Sequence, residues 1–179
     1  MRHGKTDWNL RHKLQGRTDI PLNEEGKIIA KNVAIACANI NFDLCYSSPL
    51  IRAKETAEIF LSGRQIPIIT DDRLIEMSFG IYEGMENSFQ IPNCPINKLF
   101  WHPEEYHEPA EGAESLESLF RRTGSFIEEV IKPLERQGKD FLIVGHGAMN
   151  ASIICQIKNI PIKDFWSTGT DNCKLIRLF

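Results

Sequence analysis

Phe141-Leu-Ile-Val-Gly-His-Gly147 is a run of four apolar residues followed by a histidine between two glycines. The run is too short to cross a bilayer and too uniformly apolar to alternate between a wet and a dry face. Such a segment reads as a strand buried on both sides, as in a parallel sheet covered by helices. Its glycine turn feeds a helix predicted over about 148–157. His146 therefore stands at the carboxyl end of its strand, where open α/β sheets bind their ligands.

The same alternation continues on either side. Asn23 is a good N-cap, and Glu24 and Glu25 complement the positive end of a helix dipole, so a helix is expected over about 24–39. DLCYSS at 43–48 reads as a short buried strand. Pro49 opens a second helix with Ala53, Ala57, Phe60 and Leu61 on one face and Gly63 beyond its end. IPIIT at 66–70 is the next strand. Residues 5–22 look like a long polar loop, and residues 85–112, with four prolines and no period, like an irregular excursion. A long helix follows from about 113, which Pro133 should kink or end. KLIRLF at 174–179 is expected to close the chain as a strand. Strands alternating with helices indicate an α/β, mainly parallel sheet with helices on both faces, in one domain over 1–179.

Composition narrows the function. The 179 residues carry a net charge of -3, with 42% hydrophobic and 25% charged residues, as in an ordinary globular chain. No basic stripe suits nucleic acid and no apolar run suits a membrane, so neither is an expected partner. The N-terminus lacks the apolar core of a signal peptide, which favours the cytoplasm. The five cysteines, Cys37, Cys45, Cys94, Cys155 and Cys173, form no C-x-x-C and read as free, mostly buried thiols.

Four polar clusters stand at strand ends: Arg2-His3-Gly4, the segment carrying Arg52, the loop carrying Glu76, and His146 with its glycines. Two imidazoles, two guanidinium groups and a carboxyl group suit phosphoryl transfer. An imidazole nitrogen can hold the phosphoryl group covalently and split the reaction in two. Arginine forks match the charge spread over the three equatorial oxygens. A carboxylic acid can protonate the leaving oxygen. Such a set needs neither a metal nor a cofactor if the arginines and a second, protonated histidine carry the positive charge.

These stretches resemble the histidine phosphatase superfamily, also called the phosphoglycerate-mutase-like family. RHGKTDWN at 2–9, QGRTDIPLNEEG at 15–26, SSPLIRAKETAE at 47–58, LIEMSFGIYEG at 74–84 and GHG at 145–147 occur in the family's order. The resemblance implies a three-layer phosphoglycerate-mutase-like fold with an irregular cap insertion at about 85–112. It implies His3 as the phosphorylated nucleophile, Arg2, Arg52 and His146 in the phosphate pocket, and Glu76 as general acid and then base. Asn9, Gly16 and Gly147 are implied as further phosphate contacts. Glu83 lies in the same loop as Glu76, but the family pattern favours Glu76. Trp8 reads as packing, and His102 and His107 as solvent-facing.

The resulting expectation is a phosphomonoesterase acting on a small phosphorylated metabolite through a phosphohistidine. A phosphoglycerate mutase and a catalytically silent phosphate-binding module are the alternatives, with a metalloenzyme a weak third. Phe89, Phe100, Trp101 and Tyr106 offer apolar area to the substrate body. Two departures from the family pattern bear on this. Only Met1 precedes Arg2, where family members carry a strand of about six apolar residues, so the nucleophile is expected on a fraying end, in a chain that lacks its natural start or in a compromised relative. Asn150 stands where many phosphatases of the family have an arginine.

Overall fold

The computed structural model describes residues 1–169 and 171–179. Three strands, β1 (Leu44–Ser47), β2 (Ile68–Thr70) and β3 (Phe141–Val144), form a parallel sheet in the order β2-β1-β3. In register, Cys45 faces Leu142 and Ser47 faces Val144, so both strands end at the same edge. Side chains alternate across this sheet. Cys45, Leu142 and Val144 join Ala53, Ala57 and Phe60 of α3 (Ile51–Phe60) on one face. Ile143 and Tyr46 turn to the other, where α5 (Leu116–Phe126) and α7 (Gly147–Lys158) pack. Each large side chain so buried contributes roughly 1.5–3 kcal/mol. The three-layer arrangement read from the apolar strands is the one observed.

α2 (Glu24–Ala36) packs on α3 and starts where Asn23 Oδ1 accepts the Gly26 N–H at 2.8 Å. The expected loop at 5–22 contains one short helix, α1 (Asp7–Leu10), closed by a Thr6–Asn9 capping box. The excursion holds α4 (Asn97–Trp101) and several 3-10 turns. It also delivers Cys94, Ile96, Leu99 and Tyr106 to the main core. Tyr106, expected to offer apolar area to a substrate, is 5% exposed and serves the core instead.

Pro133 neither ends nor breaks its helix. The backbone widens to a π turn at Ile127–Ile131, where the Lys132 N–H donates to the Ile127 carbonyl, and α6 (Lys132–Arg136) follows directly. The wider turn absorbs the missing N–H and the ring's clash with the preceding turn.

Both chain ends differ from expectation, for one reason. Lys174–Phe179 does not join the sheet, although its composition is that of a strand. Just ahead of it, Asn172 and Cys173 pair with the short stub Met1–His3 through a bridge to Arg2 and a side-chain bond to His3 O. Below the stub, a groove of about 730 Å³ separates β3 from the tail, lined by Phe141, Ile143, Ile153, Ile154 and Leu178 among others. The stub itself does not fray. The Met1 ammonium donates to Ile143 O at 2.6 Å, Gly145 N–H to Met1 O at 3.0 Å and His3 N–H to Gly145 O at 2.9 Å. On its other edge Cys173 N–H donates to Arg2 O at 3.0 Å. Pairing on both sides holds the nucleophile in place.

Candidate active site

Every strand-end cluster named from the sequence meets above the carboxyl edge of the sheet. His3 is 2% exposed, and its Nδ1 lies 2.7 Å from Gly4 O, which assigns the proton to Nδ1 and leaves the lone pair on Nε2. Arg52 Nε–H donates to that Nε2 at 3.3 Å. The His146 ring lies 5.2 Å from His3, centroid to centroid. Its Nε2 is 2.7 Å from Ser48 Oγ, and its Nδ1 is buried without a hydrogen-bond partner among the described residues.

The local sequence explains how each group arrives. Arg52 sits in the first turn of α3 on the face shared with Thr56, so it is drawn inside with the helix stripe. Its fork is held by two carbonyls, Gly16 O at 2.7 Å and Thr18 O at 2.8 Å. Gly16 thus meets the constellation through its carbonyl. Its φ of +53° suits glycine, and a Cβ there would run into Glu83. Glu83 accepts hydrogen bonds from the N–H groups of Arg17, Thr18 and Phe79, so it fastens the 16–18 loop.

Glu76 is 7% exposed and reaches the N-terminus of α7. Its carboxylate accepts from Met149 N–H at 3.0 Å, Ala148 N–H at 3.2 Å and its neighbour Met77 N–H at 2.9 Å. A carboxylate there gains from the helix dipole as well as from the bonds. The Cα of Gly147 faces Glu76, Arg2 and Trp166: a Cβ built there lies 3.6 Å from Glu76 Oε2, 3.9 Å from Arg2 Cζ and 3.9 Å from Trp166 Cζ3. Asn9 is further removed in role. Its Oδ1 is taken by the Thr6 backbone and hydroxyl, which leaves its NH2 end as the group able to donate to an anion.

Electrostatics follow from burial. Desolvation, then the charges of Arg52 and Arg2, hold His3 well below the usual imidazole range. His146 is lowered by desolvation and then chiefly by Arg52 and His3. Burial also lowers Arg2, and lowers Arg52 to about 10, which leaves the Arg52 guanidinium charged at neutral pH. The site therefore presents neutral imidazoles beside positive charge, and His146, expected as a protonated second histidine, is neutral because burial and the neighbouring cations disfavour its charge.

Several supporting residues carry no chemistry of their own and were not singled out from the sequence. Thr56 Oγ1 accepts from Gly4 N–H at 2.9 Å, and its spacing of four from Arg52 was the available signal. Asn172 Nδ2 donates to His3 O at 2.8 Å across 169 residues, which no local pattern could disclose. Arg17 Nε holds Glu76 O at 3.2 Å. Arg122, paired with Glu114, holds Ile75 O at 2.7 Å. Trp8 packs over Gly84, and His102 and His107 are exposed, as expected. His102, Glu104 and Glu105 have ligand atoms within 4.8 Å of one another, but all three are exposed and outside this constellation.

Comparison with known proteins places the chain in a family. The model of the histidine phosphatase superfamily (branch 1) matches residues 1–178. Phosphoserine phosphatase 1 of Hydrogenobacter thermophilus is 31% identical over 96% of this chain and 81% of its own. The 2,3-bisphosphoglycerate-dependent phosphoglycerate mutase of Cytophaga hutchinsonii is 30% identical over 92% and 78%. Among solved structures, the alpha-ribazole phosphatase of Shigella flexneri superposes with a TM-score of 0.80 at 28% identity, over 96% of this chain and 84% of that one.

Proposed function

Since the chain belongs to the histidine phosphatase superfamily (branch 1), we propose that it hydrolyses the phosphomonoester of a small metabolite through a phosphohistidine at His3. One observation carries the reading: a buried, neutral imidazole whose Nε2 meets the Arg52 guanidinium, under the positive charge of Arg2 and with a second imidazole ring 5.2 Å away. A silent binding module would have no use for a deprotonated nucleophile so arranged.

In the first half-reaction His3 Nε2 forms a bond to phosphorus as the bond to the ester oxygen breaks. Arg2 and Arg52 neutralise the equatorial oxygens. Ser48 O–H donating to His146 Nε2 puts the other proton on Nδ1, which then donates to the phosphoryl group. Glu76 gives a proton to the departing alkoxide. In the second half-reaction water attacks phosphorus, the N–P bond breaks, and Glu76 takes the proton back. The net change is ester plus water to alcohol plus phosphate. Three backbone N–H groups hold the Glu76 carboxylate in place, and a leaving oxygen that shares its proton must displace part of that hold.

Phosphatase is favoured over mutase by charge. Residues 85–111 hold Lys98 against Glu86, Glu104, Glu105, Glu108 and Glu111, a poor cover for a second phosphate. The same reading includes a metal-independent reaction, one domain and a cytoplasmic setting for the free thiols. Among the described residues no helix is long and apolar enough to cross a membrane.

Rapid quench with a labelled phosphomonoester tests the proposal. An acid-labile, base-stable phosphoenzyme should appear in the wild type and be lost in His3→Ala. Turnover with no such species overturns it.

A further inference from the structure

Trp166 comes from the 3-10 segment Ile162–Thr168, outside every motif that marks the site. Yet its benzo edge shares with Glu76 Oε2 and Arg2 Cζ the small volume in front of Gly147, all three within 4 Å of one point. The ring is fixed from three sides. Phe100 of α4 stacks on it at 5.2 Å and 24°, Phe165 meets it edge-on at 4.8 Å, and its Nε1–H donates to Leu99 O at 2.7 Å. With its one donor spent on a carbonyl, the indole can offer the pocket only apolar surface.

That placement bears on the leaving group. Glu76 is the proposed proton donor, so the departing oxygen lies beside it, and the first carbons of the alcohol lie beside Trp166. From there aromatic rings continue outward. Phe100 is 5.1 Å from Phe89, and Phe89 is 5.7 Å from Trp101, which is 58% exposed. The 3-10 turn Pro103–Glu105, with exposed Glu104 and Glu105, packs against the Trp166 segment. An apolar wall flanked by acids favours an uncharged flat body over a carboxylate.

We propose that Trp166 is a specificity-determining residue, selecting phosphomonoesters whose alcohol carries an uncharged ring close to the ester oxygen. The inference rests on the phosphatase reading, and binding separates the two. Ethyl and 2-phenylethyl phosphonate cannot be hydrolysed and differ by the ring. The wild type should bind the phenyl compound about tenfold or more tighter, the scale of burying one ring. Trp166→Ala should reduce that preference to about twofold, weakening ethylphosphonate far less than the phenyl compound, and Trp166→Phe should keep most of it. With the matching phosphates, 2-phenylethyl phosphate should show the lower KM, and O-phosphoserine should be turned over less well than either. Equal affinity of the wild type for the two phosphonates overturns the inference, as does an equal loss of both in Trp166→Ala with Trp166→Phe no better. A preference for phosphoserine does the same. Ring preference in binding without turnover of any ester would leave the inference standing and overturn the phosphatase reading alone.

Discussion

Arg52 donates through Nε to Nε2 of His3 at 3.3 Å, while the rest of its guanidinium is tied to the carbonyls of Gly16 and Thr18. The hydrogen bond fixes which imidazole nitrogen is nucleophilic, and the carbonyls keep the charge from swinging away. Arg52→Ala should lower the rate on the order of 10²–10³ or more, the scale of losing charge-stabilising donors. Arg52→Lys should recover little, since an ammonium replaces a planar fork with a point charge. Steady-state kinetics on folded variants, verified by thermal melting, decide this. Near-full activity in the lysine variant would mean that charge alone is required.

Glu76 separates chemistry from positioning. Glu76→Gln keeps the shape but cannot protonate a leaving oxygen, and should reduce turnover of alkyl phosphates roughly 10²–10⁴-fold. Aryl phosphates, whose leaving groups need little protonation, should suffer much less. Equal losses on both would assign Glu76 to holding the α7 N-terminus.

The two buried imidazoles set a pH dependence. Their folded pKa values lie well below 6.5, so as pH falls the unfolded chain takes up protons before the folded one. Their contribution to stability is complete above pH 6.5 and is lost as pH drops toward the folded values. Urea unfolding at a series of pH values should show that decline. Ring signals of His3 and His146 in NMR should remain those of neutral imidazole at pH 6.5. Titration of either ring at 6.5 would contradict the assignment of a ready nucleophile.

The Met1 ammonium is held against the Ile143 carbonyl, and burial lowers it from 8.0 to about 6. As pH falls from 8.0 to 6 the unfolded chain binds a proton the folded one refuses, so stability should decline over that window. An extension of about six apolar residues ahead of Met1 would replace the ammonium by an amide and fill the groove along β3. It should remove the decline and add on the order of 2 kcal/mol or more. An extended chain with unchanged melting temperature would show that the groove does not accept a strand.

Charge in the excursion sets the reaction outcome. With 3-phosphoglycerate, slow phosphate release and little 2-phosphoglycerate are expected, even with added bisphosphoglycerate. Efficient interconversion without phosphate release would make the chain a mutase.

Much of this was legible in residues whose environment is local. The strand at Phe141–Val144, the Asn23 cap and the four polar strand ends all follow from short-range pattern, and the sheet order brings the ends together. What the pattern could not convey depended on distant partners. KLIRLF has the composition of a strand, but a strand requires a neighbour, and Met1–His3 is too short to be one. Asn172 and Trp166 make their contacts only after folding, so nothing in their immediate sequence marks them. Pro133 does not end its helix, because the π turn that accommodates it is a backbone adjustment, invisible in side-chain periodicity.

The pairing of Met1 with Ile143 spans 142 residues, nearly the whole chain. Loop closure over that length is the slow kind of event in folding, because its entropy must be met before any contact rewards it. The imidazole has no seat until β3 and the residues around Asn172 have docked. Catalytic competence therefore reports completion of the fold. In refolding, recovery of turnover should trail recovery of helical signal, and a truncated nascent chain ending before Phe141 should carry every helix-forming segment before that strand and no nucleophile in place.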